Sequence, residues 1–89
     1  MGKFEPGSSY FAFTDDDWGF LNSISGFNGL VTTPVVEYTI NGTKYHLVIM
    51  SDLLEDESTL EDLEIDLYGF NVAVFTDSVQ ANVYGPGEW

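Results

Sequence analysis

The chain has 89 residues, with 15 Asp plus Glu against two lysines and no arginine, and its formal net charge is −13. The length allows one small domain, and two lysines cannot neutralise a run of phosphates, so direct binding of DNA or RNA is excluded. An aromatic content of 16% argues against an acidic disordered chain, and the absence of cysteine removes disulfides and thiolate metal sites.

No apolar run approaches the length of a membrane span, and residues 1–6 lack the apolar stretch of a signal peptide. The expectation is a soluble cytoplasmic protein, folded over residues 1–89 as one α+β domain with loose tails at 1–7 and 85–89.

The elements follow in chain order. Residues 8–13 alternate weakly and read as a first strand. Thr14 followed by Asp15, Asp16 and Asp17 reads as a helix start, with a hydroxyl cap and three acids at the positive end of the helix dipole. Trp18, Phe20, Leu21 and Ile24 continue at helical spacing, with Gly26 as the stop. Residues 27–33 read as a loop.

The strongest local signal is Asn41-Gly42, the preferred pair for a type I′ turn, between strands at 35–40 and 43–50. That turn sets the register: Ile40 faces Thr43, Thr39 faces Lys44, Tyr38 faces Tyr45, Glu37 faces His46 and Val36 faces Leu47. One face then carries Val36, Tyr38, Tyr45, Leu47 and Ile49. The other carries Glu37, Thr39, Lys44 and His46. A slip by one residue would bury charge.

Residues 51–66 form an acidic tract. Ser58-Thr59-Leu60-Glu61 reads as a capping box, Leu60, Leu63 and Leu67 follow at helical spacing, and Gly69 is the expected stop. Ile65 breaks the stripe, and a strand at 64–68 competes with the helix. Strands at 70–75 and 79–84 follow across a turn at 76–78. Residues 85–89 are loose unless Trp89 docks. The order is β-α-β-β-α-β-β, an antiparallel sheet with two short helices on one side and the other face partly open.

Catalytic patterns are absent. There is one histidine, no cysteine and no Gly-x-Ser-x-Gly elbow. His46 reads as a strand histidine opposite Glu37. The acid triplets at 15–17 and 55–57 fit no EF-hand spacing, and 15–17 are explained by helix capping. Asn41-Gly42-Thr43 matches a glycosylation sequon, but the turn explains it. No enzyme, no metal and no cofactor is expected.

What remains is the tract. Asp52, Glu55, Asp56, Glu57, Glu61, Asp62, Glu64 and Asp66 carry its eight charges, and no lysine or arginine follows Lys44. Surface helices ordinarily intersperse Glu and Lys at i,i+4, whereas like charges at that spacing repel. If residues 52–66 were one helix of about 21 Å, the tract would hold about one charge per 2.6 Å. That lies between the spacings of a nucleic-acid duplex, about 1.7 Å, and of a single strand, about 3.4 Å. Such a ridge would steer toward a basic cleft.

In size, acidity, lack of cysteine and aromatic richness, the whole chain resembles the small acidic inhibitors encoded by bacteriophages and other mobile elements. Anti-restriction proteins, anti-CRISPR proteins and uracil-DNA glycosylase inhibitors belong to this class. No motif carries the resemblance and it transfers no residue by position. It implies an inhibitor that occupies the nucleic-acid-binding site of a basic host protein, such as a nuclease or a CRISPR or restriction effector. Glu55, Asp56, Glu57, Glu61, Asp62 and Glu64 are the expected leading contacts. The alternatives are a toxin-neutralising immunity protein, a halophilic domain, and a structural or assembly component of a virion.

Overall fold

A computed structural model describes residues 4–32 and 34–89. Residues 1–3 of the expected loose tail, and Thr33 of the expected loop, lie outside the described residues.

Five strands form one antiparallel sheet: β1 (Ser9–Phe13), β2 (Val36–Ile40), β3 (Thr43–Ile49), β4 (Asn71–Phe75) and β5 (Ala81–Tyr84). Their spatial order is β2-β3-β1-β4-β5. Three helices accompany them: α1 (Asp15–Asn22), α2 (Met50–Leu54) and α3 (Glu57–Asp62). Single 3-10 turns occur at Asn28–Leu30 and Leu67–Gly69. This is the small α+β domain read from the sequence, with α2 as an additional helix ahead of the second expected one, which is shorter than read.

The hairpin takes the register set by its turn, with Ile40 opposite Thr43 and Glu37 opposite His46. Asn41 and Gly42 both have positive φ, 52° and 84°, as a type I′ turn requires. Helix α1 starts as read: Thr14 is the N-cap, and the Asp17 N–H donates to its Oγ1 at 3.2 Å. It ends at Asn22, short of Gly26.

The helices cover one face of the sheet. There Phe11, Phe13, Val48 and Val72 meet Leu21, Phe27, Leu53 and Leu60. Strand parity places the apolar stripe of the hairpin on the opposite face. Val36, Tyr38, Tyr45 and Leu47 join Phe4, Ala12, Ala73 and Phe75 in a second cluster. The sheet curls around that face and leaves it partly open, with Tyr38, Tyr45 and Val36 half-buried. The Tyr38 hydroxyl donates to the Val79 carbonyl across the opening, and Phe4 fills the interior. Its ring stacks on Phe75 at 4.2 Å and meets Tyr10 and Tyr38 edge-on.

The expectation of a loose tail at 1–7 is corrected at Phe4, and residues 85–89 take the docked alternative that the sequence left open. Phe4, placed in a loose tail by its position in the chain, is buried, and its N–H donates to the Ser78 carbonyl at 3.1 Å. Trp89 docks: its Nε1–H donates to the Phe70 carbonyl at 2.8 Å, and its ring packs edge-on against Phe11. Burial of a large aromatic outweighs the tendency of a terminus to fray.

Candidate functional site

The acidic tract is two short helices with a bend at Glu55 and Asp56, not one rod. Strand β3 runs directly into α2, whose Leu53 drops into the core. The bend falls where acids crowd without a lysine at i±4 to hold the turn. Helix α3 then begins at Glu57 with Asp56 as N-cap, and no side chain bonds there. The capping box expected at Ser58 does not form.

The end of α3 explains Ile65. The Ile65 N–H donates to the Leu60 carbonyl at 2.9 Å, and the Glu64 N–H donates to the Glu61 carbonyl at 3.0 Å. These are the two bonds of a Schellman motif, in which Ile65 and Leu60 are the paired apolar residues. Both are buried. Glu64 occupies the left-handed position at φ 60°, where glycine is the usual residue. The helix thus stops at Asp62, and residues 64–68 form a turn rather than a helical continuation or a strand. Asp66 caps the next turn, its Oδ1 accepting from the Tyr68 N–H at 3.0 Å.

The eight carboxylates separate into different roles. Asp52 is only 8% exposed. Its Oδ2 accepts from the Thr32 N–H at 3.0 Å, and its Oδ1 accepts from the Thr32 hydroxyl. It anchors the loop before β2 to α2, which removes it from the expected contact surface. Asp56 is half-buried, whereas Glu55, Glu57, Glu61, Asp62, Glu64 and Asp66 are exposed. The continuous charge line of about 21 Å is not formed.

What the bend and the Schellman turn build instead is a groove of about 400 Å³. Its floor is apolar, made by the buried Leu60, Ile65 and Leu67, with Leu54, Tyr68 and Trp89 at its edges. Its rim carries Glu57, Glu61, Glu64 and Asp66. Glu57 and Glu61 stand one turn apart on the same side of α3. Tyr68 and Trp89 stack at 5.2 Å with their planes 18° apart. Tyr68 is 64% exposed and Leu54 41%. Glu55, Asp56 and Asp62 lie outside the groove lining. Leu54, Tyr68 and Trp89 were not singled out by the sequence as site residues. The available signal was the docking of Trp89, which spacing alone does not place.

The positive charge in the described residues is used elsewhere. Lys44 Nζ lies 3.0 Å from Glu37 and 3.6 Å from Asp15, and both contacts, the Glu37 hydrogen bond first, push its pKa up. His46 faces Glu37 in the register but bonds to Asp15 instead. Its Nε2–H donates to Asp15 Oδ1 at 2.6 Å, and its ring stacks under Trp18 at 5.6 Å. Hydrogen bonding to His46 and the charge of Lys44 hold the Asp15 carboxyl below its ordinary range. The triplet at 15–17 thus does more than start a helix: Asp15 also ties α1 to β3.

Among the described residues, no three histidine or carboxylate side chains are grouped to hold a metal ion, and no helix is long and apolar enough to cross a membrane. Comparison with known protein families, with curated proteins and with solved structures finds no match.

Proposed function

We propose that the protein is an inhibitor that binds a basic protein surface, with its acidic face taking the place of nucleic acid at the binding site of a nuclease or of a restriction or CRISPR effector. The observation that carries this reading is the exposure of Glu55, Glu57, Glu61, Asp62, Glu64 and Asp66 on a stretch of chain with no lysine or arginine. Like charges so close cost folding stability, and among the described residues the one lysine, Lys44, pairs with Asp15 and Glu37 rather than with them. A partner rich in arginine would offset them. Charge-assisted bonds to carboxylates are stronger than neutral ones and accelerate encounter at low salt.

The test is affinity capture from a nuclease-treated lysate of the source cell, with elution by rising salt. The reading predicts capture of a nucleic-acid-binding protein, its release at moderate salt, and its release by added DNA or RNA. Replacing Glu55, Glu57, Glu61, Asp62 and Glu64 together by their amides should abolish capture. Undiminished capture by that variant would overturn the reading.

A further inference from the structure

Resting on the acidic-face reading, we propose that the groove beside α3 takes a basic segment of the partner protein that carries an apolar or aromatic anchor side chain between its arginines or lysines. A surface that only imitated phosphates would need carboxylates alone. This one pairs a carboxylate rim with an apolar floor in a single concavity.

The exposed apolar area is more than the core needs. Leu60, Ile65 and Leu67 are already buried, whereas Leu54 and Tyr68 stand open at the groove's edges. Trp89 has its N–H satisfied by the Phe70 carbonyl, so only its ring is offered, and that ring extends the stack to Tyr68. An anchor entering between Leu54 and Tyr68 would bury apolar surface on both sides. An adjacent guanidinium would meet Glu57, Glu61 or Glu64 at the rim, with the Tyr68 face available for stacking.

Charge selects among occupants. An anionic ligand is repelled by the rim. A second copy of this chain brings a charge of −13 against −13. An uncharged apolar molecule would gather four carboxylates around itself without pairing them. A basic segment with an apolar anchor satisfies both the rim and the floor, the logic by which amphipathic segments dock in grooves.

The experiment uses the full chain and two short arginine-rich peptides of equal charge. One has leucine and phenylalanine on one helical face, and the other has serine at those positions. Affinity is measured by titration calorimetry, and the indole N–H resonance of Trp89 is followed by NMR. The anchored peptide is expected to bind about tenfold tighter and to shift the Trp89 resonance. The double substitution Leu54→Ser and Tyr68→Ser should remove that preference while leaving the charge-driven component. Should the double variant fold poorly, Tyr68→Ser alone, at the more exposed position, should reduce the preference.

Equal affinity for the two peptides would overturn the groove proposal, as would a preference that survives in the substituted chain. A Trp89 shift that follows protein concentration without peptide would instead assign the groove to a second copy and overturn it too. These outcomes are separable from the proposed function. Capture that survives neutralisation of the five acids, with peptide preference intact, would sink the nucleic-acid mimic and leave the groove. Loss of peptide preference with charge-dependent capture intact would do the reverse.

Discussion

Asp52→Ala and Glu61→Gln remove one negative charge each from the same tract, and the structure gives them opposite effects. Asp52 receives two hydrogen bonds from Thr32 and is buried at the junction of α2 with the loop before β2. Hydrogen bonds to a charged group contribute about 1.5–3 kcal/mol each when buried. Thr32 is itself exposed, so its donors can return to water and the lower end applies. The net loss for Asp52→Ala is about 2.5 kcal/mol, after a few tenths recovered from reduced repulsion. In a domain of this size that lowers Tm by roughly 10–20 °C. Glu61 is exposed and stands at i+4 from Glu57, so Glu61→Gln should leave stability unchanged or raise it by about 0.2–0.5 kcal/mol. Urea unfolding followed by tryptophan fluorescence, at fixed ionic strength, measures both. Binding of the anchored arginine-rich peptide should be unaltered in folded Asp52→Ala and weakened in Glu61→Gln. An unchanged midpoint for Asp52→Ala, or an equal destabilisation by Glu61→Gln, would refute the division of the tract into an anchor and a contact face.

Three further outcomes follow from particular contacts. Phe4→Ala should destabilise by about 3 kcal/mol in chemical denaturation, since Phe4 fills the interior of the curled sheet; a loss below about 0.5 kcal/mol, the range of an ordinary surface change, would make residues 4–7 a free tail. Glu64→Gly should raise stability by about 0.5 kcal/mol, relieving a left-handed non-glycine residue while adding glycine's unfolded-state entropy, yet weaken binding of the basic peptide by removing a rim carboxylate. The Asp15 pKa is depressed in the folded state, so its contribution to stability is present above the ordinary value of 3.8 and is lost as pH falls through the lower folded value. Asp15→Asn should therefore reduce the unfolding midpoint at neutral pH by a small, salt-sensitive amount, and the difference should shrink below pH 3.8; a difference that persisted unchanged in strong acid would contradict this.

The parts of the fold legible in the sequence are those fixed by local chemistry. Asn41-Gly42 sets both the turn and the register because both residues tolerate positive φ. Thr14 followed by three aspartates sets a helix start because the cap and the dipole act within one turn. The parts that were not legible depend on what arrives from elsewhere in the chain. Ile65 disagrees with the helical stripe because it belongs to a Schellman turn, and glutamate at the left-handed position hides that turn from a search for glycine. The hairpin's apolar stripe was assigned correctly to one face, but which face meets the helices depends on how the sheet curls and on Phe4 filling the inside. His46 lies opposite Glu37 as the register demands, yet it bonds to Asp15 because its partner on the other side is Phe13, two residues before Asp15. Among the site residues, the sequence located the charge and missed the apolar floor. Counting acids cannot show that Asp52 turns inward or that Trp89 comes to lie beside Tyr68.

The most direct test of the central claim is competition at equilibrium. With the captured partner in hand, a fluorescently labelled oligonucleotide bound to it is titrated with this protein, and anisotropy reports displacement. The account predicts full displacement, mutually exclusive with nucleic acid, that weakens steeply with salt and is lost when Glu55, Glu57, Glu61, Asp62 and Glu64 are neutralised. A ternary complex in which the partner holds both the oligonucleotide and the protein would contradict it.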